Sequence, residues 1–111
     1  MSESPASHAM EISAIFGALA DPTRLALIET LSDGESRSIV VLSQNGSITR
    51  QAVTKHLSVL EQVGLVQREK IGRESHFRLH PAPLVDARAY LAAVSTQWDD
   101  ALQRLRHFVE D

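Results

Sequence analysis

Arg50, Gln51, Thr54, Lys55 and Ser58 lie close together in the chain, and their side chains share one kind of chemistry. All can donate hydrogen bonds, and long or hydroxyl-bearing donors of these types pair with the edges of guanine and adenine or with phosphate oxygens. A second group follows in Arg68, Lys70, Arg73 and Arg78, cations suited to a phosphate backbone. The question is which elements hold the two groups.

On a wheel of 100° per residue, with Thr49 as N-cap and Gly64 as the stop, Ala52, Val53, Leu57, Val59, Leu60 and Val63 fall on one arc, with His56 among them. Arg50, Gln51, Thr54, Lys55, Ser58, Glu61 and Gln62 fall on the other, and the outer face of the first turns carries no acid. The pattern predicts a helix over about 49–63. After Gly64, "LVQREK" and "HFRL" read as strands joined by "IGRE", with Gly72 free to make the turn, which predicts a hairpin over about 65–80. A helix in the major groove with a basic hairpin reaching the adjacent backbone is a coherent DNA-reading pair. Either element alone is more simply an amphipathic helix or a solvated hairpin; the two together, after two capped helices, point to DNA.

Upstream, Ile12, Ile15, Phe16 and Leu19 recur at helical spacing over Met10 to Ala20. Asp21 is a natural N-cap, Pro22 suits a first helical position and Gly34 closes the next helix, whose inner face is expected to hold Leu25, Ile28 and Leu31. "SIVVLSQ" is rich in β-branched residues, but its context predicts a short helix. Residues 1–8 are expected to form a disordered tail, and 9–111 a single domain.

The 111 residues carry a net charge of -3. Between Ile48 and His80, however, six basic residues face three acids, so the remainder of the chain carries the compensating -6. A locally basic segment on an acidic body suits a DNA reader with a separate assembly surface, and an ordinary solvated surface fits so modest an excess equally well. The absence of Cys excludes disulfides, zinc-thiolate sites and thiol nucleophiles. No signal peptide or membrane span is evident, so a soluble, cytoplasmic protein is expected.

"ALADPTRLALIETL", "ITRQAVTKHLSVLEQVGLV" and "REKIGRESHFRL", in this order and spacing, resemble the ArsR/SmtB family of winged-helix bacterial repressors. The resemblance implies a mainly α, winged helix-turn-helix fold with a two-stranded β-wing and N- and C-terminal dimerisation helices. It implies a homodimer that binds an imperfect palindromic operator in double-stranded DNA and blocks transcription, with Arg50, Gln51, Thr54 and Lys55 at the base-contacting positions. The departures are as specific. Paired Cys of the metal sensors are missing from "SIVVLSQ". Asp86 is followed by Arg88 where the zinc-binding pattern has His, and the later His positions are empty. His107 and Glu110 lie one turn apart, which reads as a solvated pair, and His56 reads as a packed or backbone-bonded side chain. No metal and no cofactor is expected, and a small-molecule effector stays open.

The terminal segment, about 83–110, repeats Leu84, Leu91, Trp98 and Leu105 every seven residues, followed by Ala87, Val94, Ala101 and Phe108 three behind. Such a stripe is too long for a small domain to cover alone, so pairing with a second copy is preferred over folding back on its own body. Ile12, Phe16, Leu91, Val94, Trp98, Leu102 and Leu105 are the expected dimer contacts; Trp98 reads as an interface anchor in preference to a pocket wall. The chain shows no nucleophile elbow or phosphate-cradling loop, so it is not expected to be an enzyme. The alternatives are a winged-helix module that binds protein without DNA, and a metal-responsive repressor with an unrecognised site.

Overall fold

The computed structural model describes residues 5–44 and 48–110. Helix α1 spans Pro5–Leu19, α2 Pro22–Thr30, α3 Ile39–Leu42, α4 Arg50–Gln62 and α5 Ala82–Glu110. Strands β1 (Arg37–Ser38), β2 (Val66–Ile71) and β3 (Glu74–Leu79) form one antiparallel sheet in the order β1-β3-β2.

Residues 1–4 of the expected tail lie outside the described residues, and from Pro5 onward the chain is helical. Proline at a first helical position loses no hydrogen bond, because that N–H has no partner within a helix anyway. At the start of α2, the Asp21 carboxylate accepts from the Arg24 backbone N–H at 3.0 Å, and Pro22 follows it. The helix ends at Thr30 but continues as a tight 3-10 turn through Asp33, and Gly34 stops it at φ +83°. The buried face differs from the expected one at a single position. Leu27, Ile28 and Leu31 are buried, while Leu25, expected inside, is 45% exposed.

The β-branched "SIVVL" divides between two structures. Ser38 pairs with His76 as part of a third strand, then caps α3 by accepting from the Val41 N–H at 3.2 Å. The wing thus rests on a three-stranded sheet, one strand more than the hairpin alone.

Helix α4 is defined at both ends by local chemistry. Thr49 Oγ1 accepts from the Ala52 N–H at 3.1 Å. At the other end the Gly64 N–H donates to Glu61 O and the Leu65 N–H to Leu60 O, both at 3.0 Å, with Gly64 at φ +78°. That is a Schellman closure, and its usual apolar contact is supplied by Leu60 and Leu65, both fully buried. The chain is thereby turned directly into β2. In the hairpin Ile71 faces Glu74 across a two-residue turn in which Gly72 alone has positive φ, the pattern of a type II′ turn.

Ile12, Ile15 and Ala18 of α1, the inner residues of α2 and α4, and Val66 and Phe77 of the sheet share one core. Each large apolar side chain so buried contributes about 1.5–3 kcal/mol. Helix α5 behaves differently. Its 29 residues extend about 43 Å, yet Ala87 is its only buried residue. Tyr90 meets Phe16 with ring centroids 6.2 Å apart, and beyond that contact the helix projects from the body.

Candidate nucleic-acid interface

The inner face of α4 is committed to the core through Val53, Leu57 and Leu60. This fixes which side chains look outward. Arg50, Gln51 and Lys55 are exposed, and among the described residues none has a side-chain hydrogen bond or ion pair. Thr54 and Ser58 are half-buried on the flank of that face, and Thr54 Oγ1 already donates to Arg50 O at 2.8 Å. Arg50 is the first helical residue, where the dipole disfavours a cation and the backbone N–H groups favour an anion. The first turn contains no acid to relieve it. An approaching phosphate would.

The four wing cations do not form one patch. Register pairs Arg68 with Phe77 and Lys70 with Ser75, which puts Arg68 and Lys70 on the core-side face of the hairpin. Arg78 pairs with Gln67 and lies on the opposite face, together with Glu69 and Glu74. Arg73 occupies the turn. Arg68 is already engaged: its Nη2 donates to Glu61 Oε1 at 3.1 Å, and its guanidinium lies 5.0 Å from the centroid of the Phe77 ring. It fastens the end of α4 to the sheet. Lys70 and Arg73 remain uncommitted, Lys70 on a face that carries no carboxylate from the hairpin and Arg73 in the turn.

Behind the reading face lies a cluster that single-residue reasoning did not reveal. Arg24 Nε donates to Ala18 O, Nη2 to Gly17 O at 3.4 Å, and Nη1 approaches His56 Nδ1 at 3.3 Å. A guanidinium only donates, so Nδ1 is the acceptor there. Arg24 therefore covers carbonyls of the last turn of α1 and meets the inner side of α4. Asp21 Oδ2 lies 3.9 Å from the same imidazole nitrogen. The Arg24 backbone N–H, opposed in part by burial and aided by the Arg24 charge, holds the Asp21 carboxyl below the usual range. The one signal in the sequence was a His on an otherwise apolar arc, which needs a polar partner.

A helix-turn-helix domain family matches residues 19–69, from the end of α1 into β2. YuzN of Bacillus subtilis, an HTH-type transcriptional regulator, is 41% identical over 66 residues, covering 54% of this chain and 72% of that protein. An ArsR-like transcriptional regulator from Rhodococcus sp. RHA1 superposes with a TM-score of 0.79 at 31% identity, over 92% of this chain and 95% of that one. The chain belongs to the ArsR family of transcriptional regulators. A probable mercury resistance operon repressor of Streptomyces lividans is 32% identical over 84 residues, 76% of this chain and 66% of that protein.

Membership makes the winged helix-turn-helix of this ArsR-family chain a DNA-binding one. Among the described residues no three His, Asp or Glu side chains converge as metal ligands, and no helix is long and apolar enough to cross a membrane. Glu110 is bound by Arg106 Nε at 2.9 Å, so the His107–Glu110 pair suggested by spacing has its carboxylate engaged elsewhere. Of the expected dimer contacts, Ile12 is 3% exposed and belongs to the protomer's own core, because α5 crosses α1 on that side. Phe16 is half-buried against Tyr90. Leu91, Trp98, Leu102 and Leu105 all remain open, between 51% and 65% exposed.

Proposed function

We propose that the chain is a homodimeric repressor whose two recognition helices read the half-sites of an imperfect palindromic operator. The observation that carries this reading is the state of the first turns of α4. Three long donors project from a rigid, doubly capped helix with no partner inside the protein, beside a helix N-terminus that favours phosphate. Holding such groups ready lowers the ordering cost of a bidentate base contact.

The dimer rests on α5. Beyond Tyr90 its apolar stripe continues through Trp98, Leu102, Leu105, Phe108 and Val109, each more than half exposed. A contiguous apolar surface of that length on a small protein marks an interface, and a second copy of the same stripe satisfies it with two-fold symmetry. The same symmetry would give two α4 helices facing successive major grooves. The sense of regulation as repression follows the mercury resistance repressor to which the chain is similar.

The test is a footprint of the full chain on DNA upstream of its own gene. The expected result is protection of a two-fold repeat whose half-site centres lie about one helical turn, or a multiple of it, apart. Uniform coating of all sequences with the same affinity would refute sequence reading.

A further inference from the structure

A cavity of about 180 Å³ lies between α2, α3 and the start of α4. Leu27 and Val53 are its buried floor, Leu42 and Ile48 its half-buried walls, and Ala26 and Thr30 part of its open rim. Thr23 and Ser43 complete the lining, which among the described residues contains no charged side chain. The volume suits one ring: an apolar protein cavity of roughly 150 Å³ is enough to hold benzene.

The polar groups of the lining define the ligand further. The Thr30 hydroxyl donates to Ala26 O at 2.9 Å, and the Ser43 hydroxyl donates to Val40 O at 3.1 Å. With their protons engaged, these two hydroxyls are left with acceptor capacity only, while the Thr23 hydroxyl has no partner among the described residues and can donate or accept. A ligand that carries an O–H or N–H can use the two acceptors, whereas a carboxylate meets no cation in the described lining and only the Thr23 hydroxyl as a donor, too little to replace its hydration. The chemistry is that of a neutral single-ring phenol.

The position of the cavity connects it to α4. Ile48 immediately precedes the N-cap Thr49, and Val53 is the fourth helical residue, so the two are placed as a hydrophobic staple, the contact that sets the angle at which a chain enters a helix. Both line the cavity. A ring inserted there meets Ile48 and Val53 directly, one turn from Arg50 and Gln51. We infer that this cavity binds a neutral, phenol-sized ligand, and that its occupation tilts the start of α4 and weakens operator binding. The inference about regulation rests on the operator reading above.

The test titrates methyl-labelled full-length chain with phenol, benzene and benzoate, with no DNA present. Phenol and benzene should shift the methyl signals of Leu27, Leu42, Ile48 and Val53 saturably, and benzoate should not. Ala26→Leu, which adds bulk from the exposed rim, should abolish the shifts while leaving the melting temperature near that of the wild type. Thr30→Val, of equal volume, should weaken phenol by about two- to tenfold and leave benzene unchanged. Saturating phenol should then lower affinity for the footprinted duplex by roughly tenfold, within the usual span of coupling between sites, and should fail to do so in Ala26→Leu. Absent or displaced methyl shifts, equal binding of benzoate, or binding that leaves operator affinity unchanged would each overturn the proposal. A chain that binds no operator would refute the DNA reading and with it the regulatory half, while the cavity would still be judged on its methyl titration alone.

Discussion

Substituting Arg50, Arg68 and Arg73 one at a time separates three roles that net charge cannot distinguish. In a two-fold dimer every substitution acts twice. If Arg73 in the hairpin turn meets one phosphate per protomer, Arg73→Ala removes two phosphate contacts per dimer. At about 0.9 per phosphate, the slope of log affinity against log salt should flatten by about 1.8. The loss should be nearly the same on operator and scrambled duplex. Arg50→Ala should instead cost about 1–3 kcal/mol per half-site on the operator and far less on scrambled DNA, because a bidentate base contact exists only where the base does. Gln51→Ala should behave likewise. Arg68 is the control supplied by the structure: its guanidinium is held by Glu61 at 3.1 Å and stacked over Phe77, so it is not a free counter-charge. Arg68→Ala should leave the salt slope close to that of the wild type. The assay is fluorescence anisotropy on both duplexes at several salt concentrations. If Arg50→Ala and Gln51→Ala bind the operator as the wild type does while the wild type still discriminates, α4 is not the reader. If Arg68→Ala flattens the slope as much as Arg73→Ala, the Glu61 pairing does not neutralise it.

Trp98→Ala or Leu105→Glu should raise the protomer–dimer dissociation constant by about 100-fold or more, equivalent to roughly 2.7 kcal/mol, and sedimentation of a wild type that is already monomeric would refute the α5 interface. Arg24→Met keeps an apolar stem but uncovers the Gly17 and Ala18 carbonyls, so urea unfolding at fixed protein concentration should show a loss of about 1–3 kcal/mol; Arg24→Lys, which lacks the fork, should recover only part of it. The Asp33 carboxyl is held well below the usual carboxylate range, first by the Arg37 side chain and then by the Glu35 N–H. A depressed folded value means that its contribution is present above the unfolded value of about 3.9 and is lost as pH falls towards the folded one; Asp33→Asn should therefore flatten the acid limb of a stability–pH curve and do nothing to its slope above pH 5 or so. Stoichiometric Zn²⁺, Cd²⁺ or arsenite should leave operator affinity unchanged, and a tight metal site that releases DNA in titration would overturn that expectation.

The parts of the fold legible in the sequence are those decided within a few residues. Thr49 as cap, Gly64 as stop and Gly72 in the turn each follow from local chemistry, and each is found in that role. The failures come from longer range. Leu25 and Leu27 are equally apolar, and the choice between them depends on α4 packing against α2. Ile12 looked available to a partner because the path of α5 over α1 is not written in α1. Ser38 joins a strand only because β3, nearly forty residues later, presents His76 to it. The Arg24–His56 contact spans 32 positions and joins residues with no shared motif. Within the candidate interface, residue types gave the helix face, whereas the division of the wing cations between two faces required the register.

That division bears on how a chain of net charge -3 can attract a polyanion. At physiological ionic strength a charge is felt over about 8 Å, so the sum over the molecule matters less than which charges are cancelled nearby. Several acids are cancelled: Asp33 by Arg37, Glu61 by Arg68 and Glu110 by Arg106. The basic side chains of α4 and the wing that remain uncancelled are Arg50, Lys55, Lys70, Arg73 and Arg78. Arg78 shares its face of the hairpin with Glu69 and Glu74, which leaves four cations: Arg50 and Lys55 on α4, Lys70 on the core-side face of the hairpin, and Arg73 in the turn. Two protomers would present eight, a number that places the salt slope of the dimer near -7 if all meet phosphate. A base contact by Arg50 would lower that magnitude without lowering operator affinity, so the slope and the sequence preference of one titration series partition the same four residues between positioning and reading.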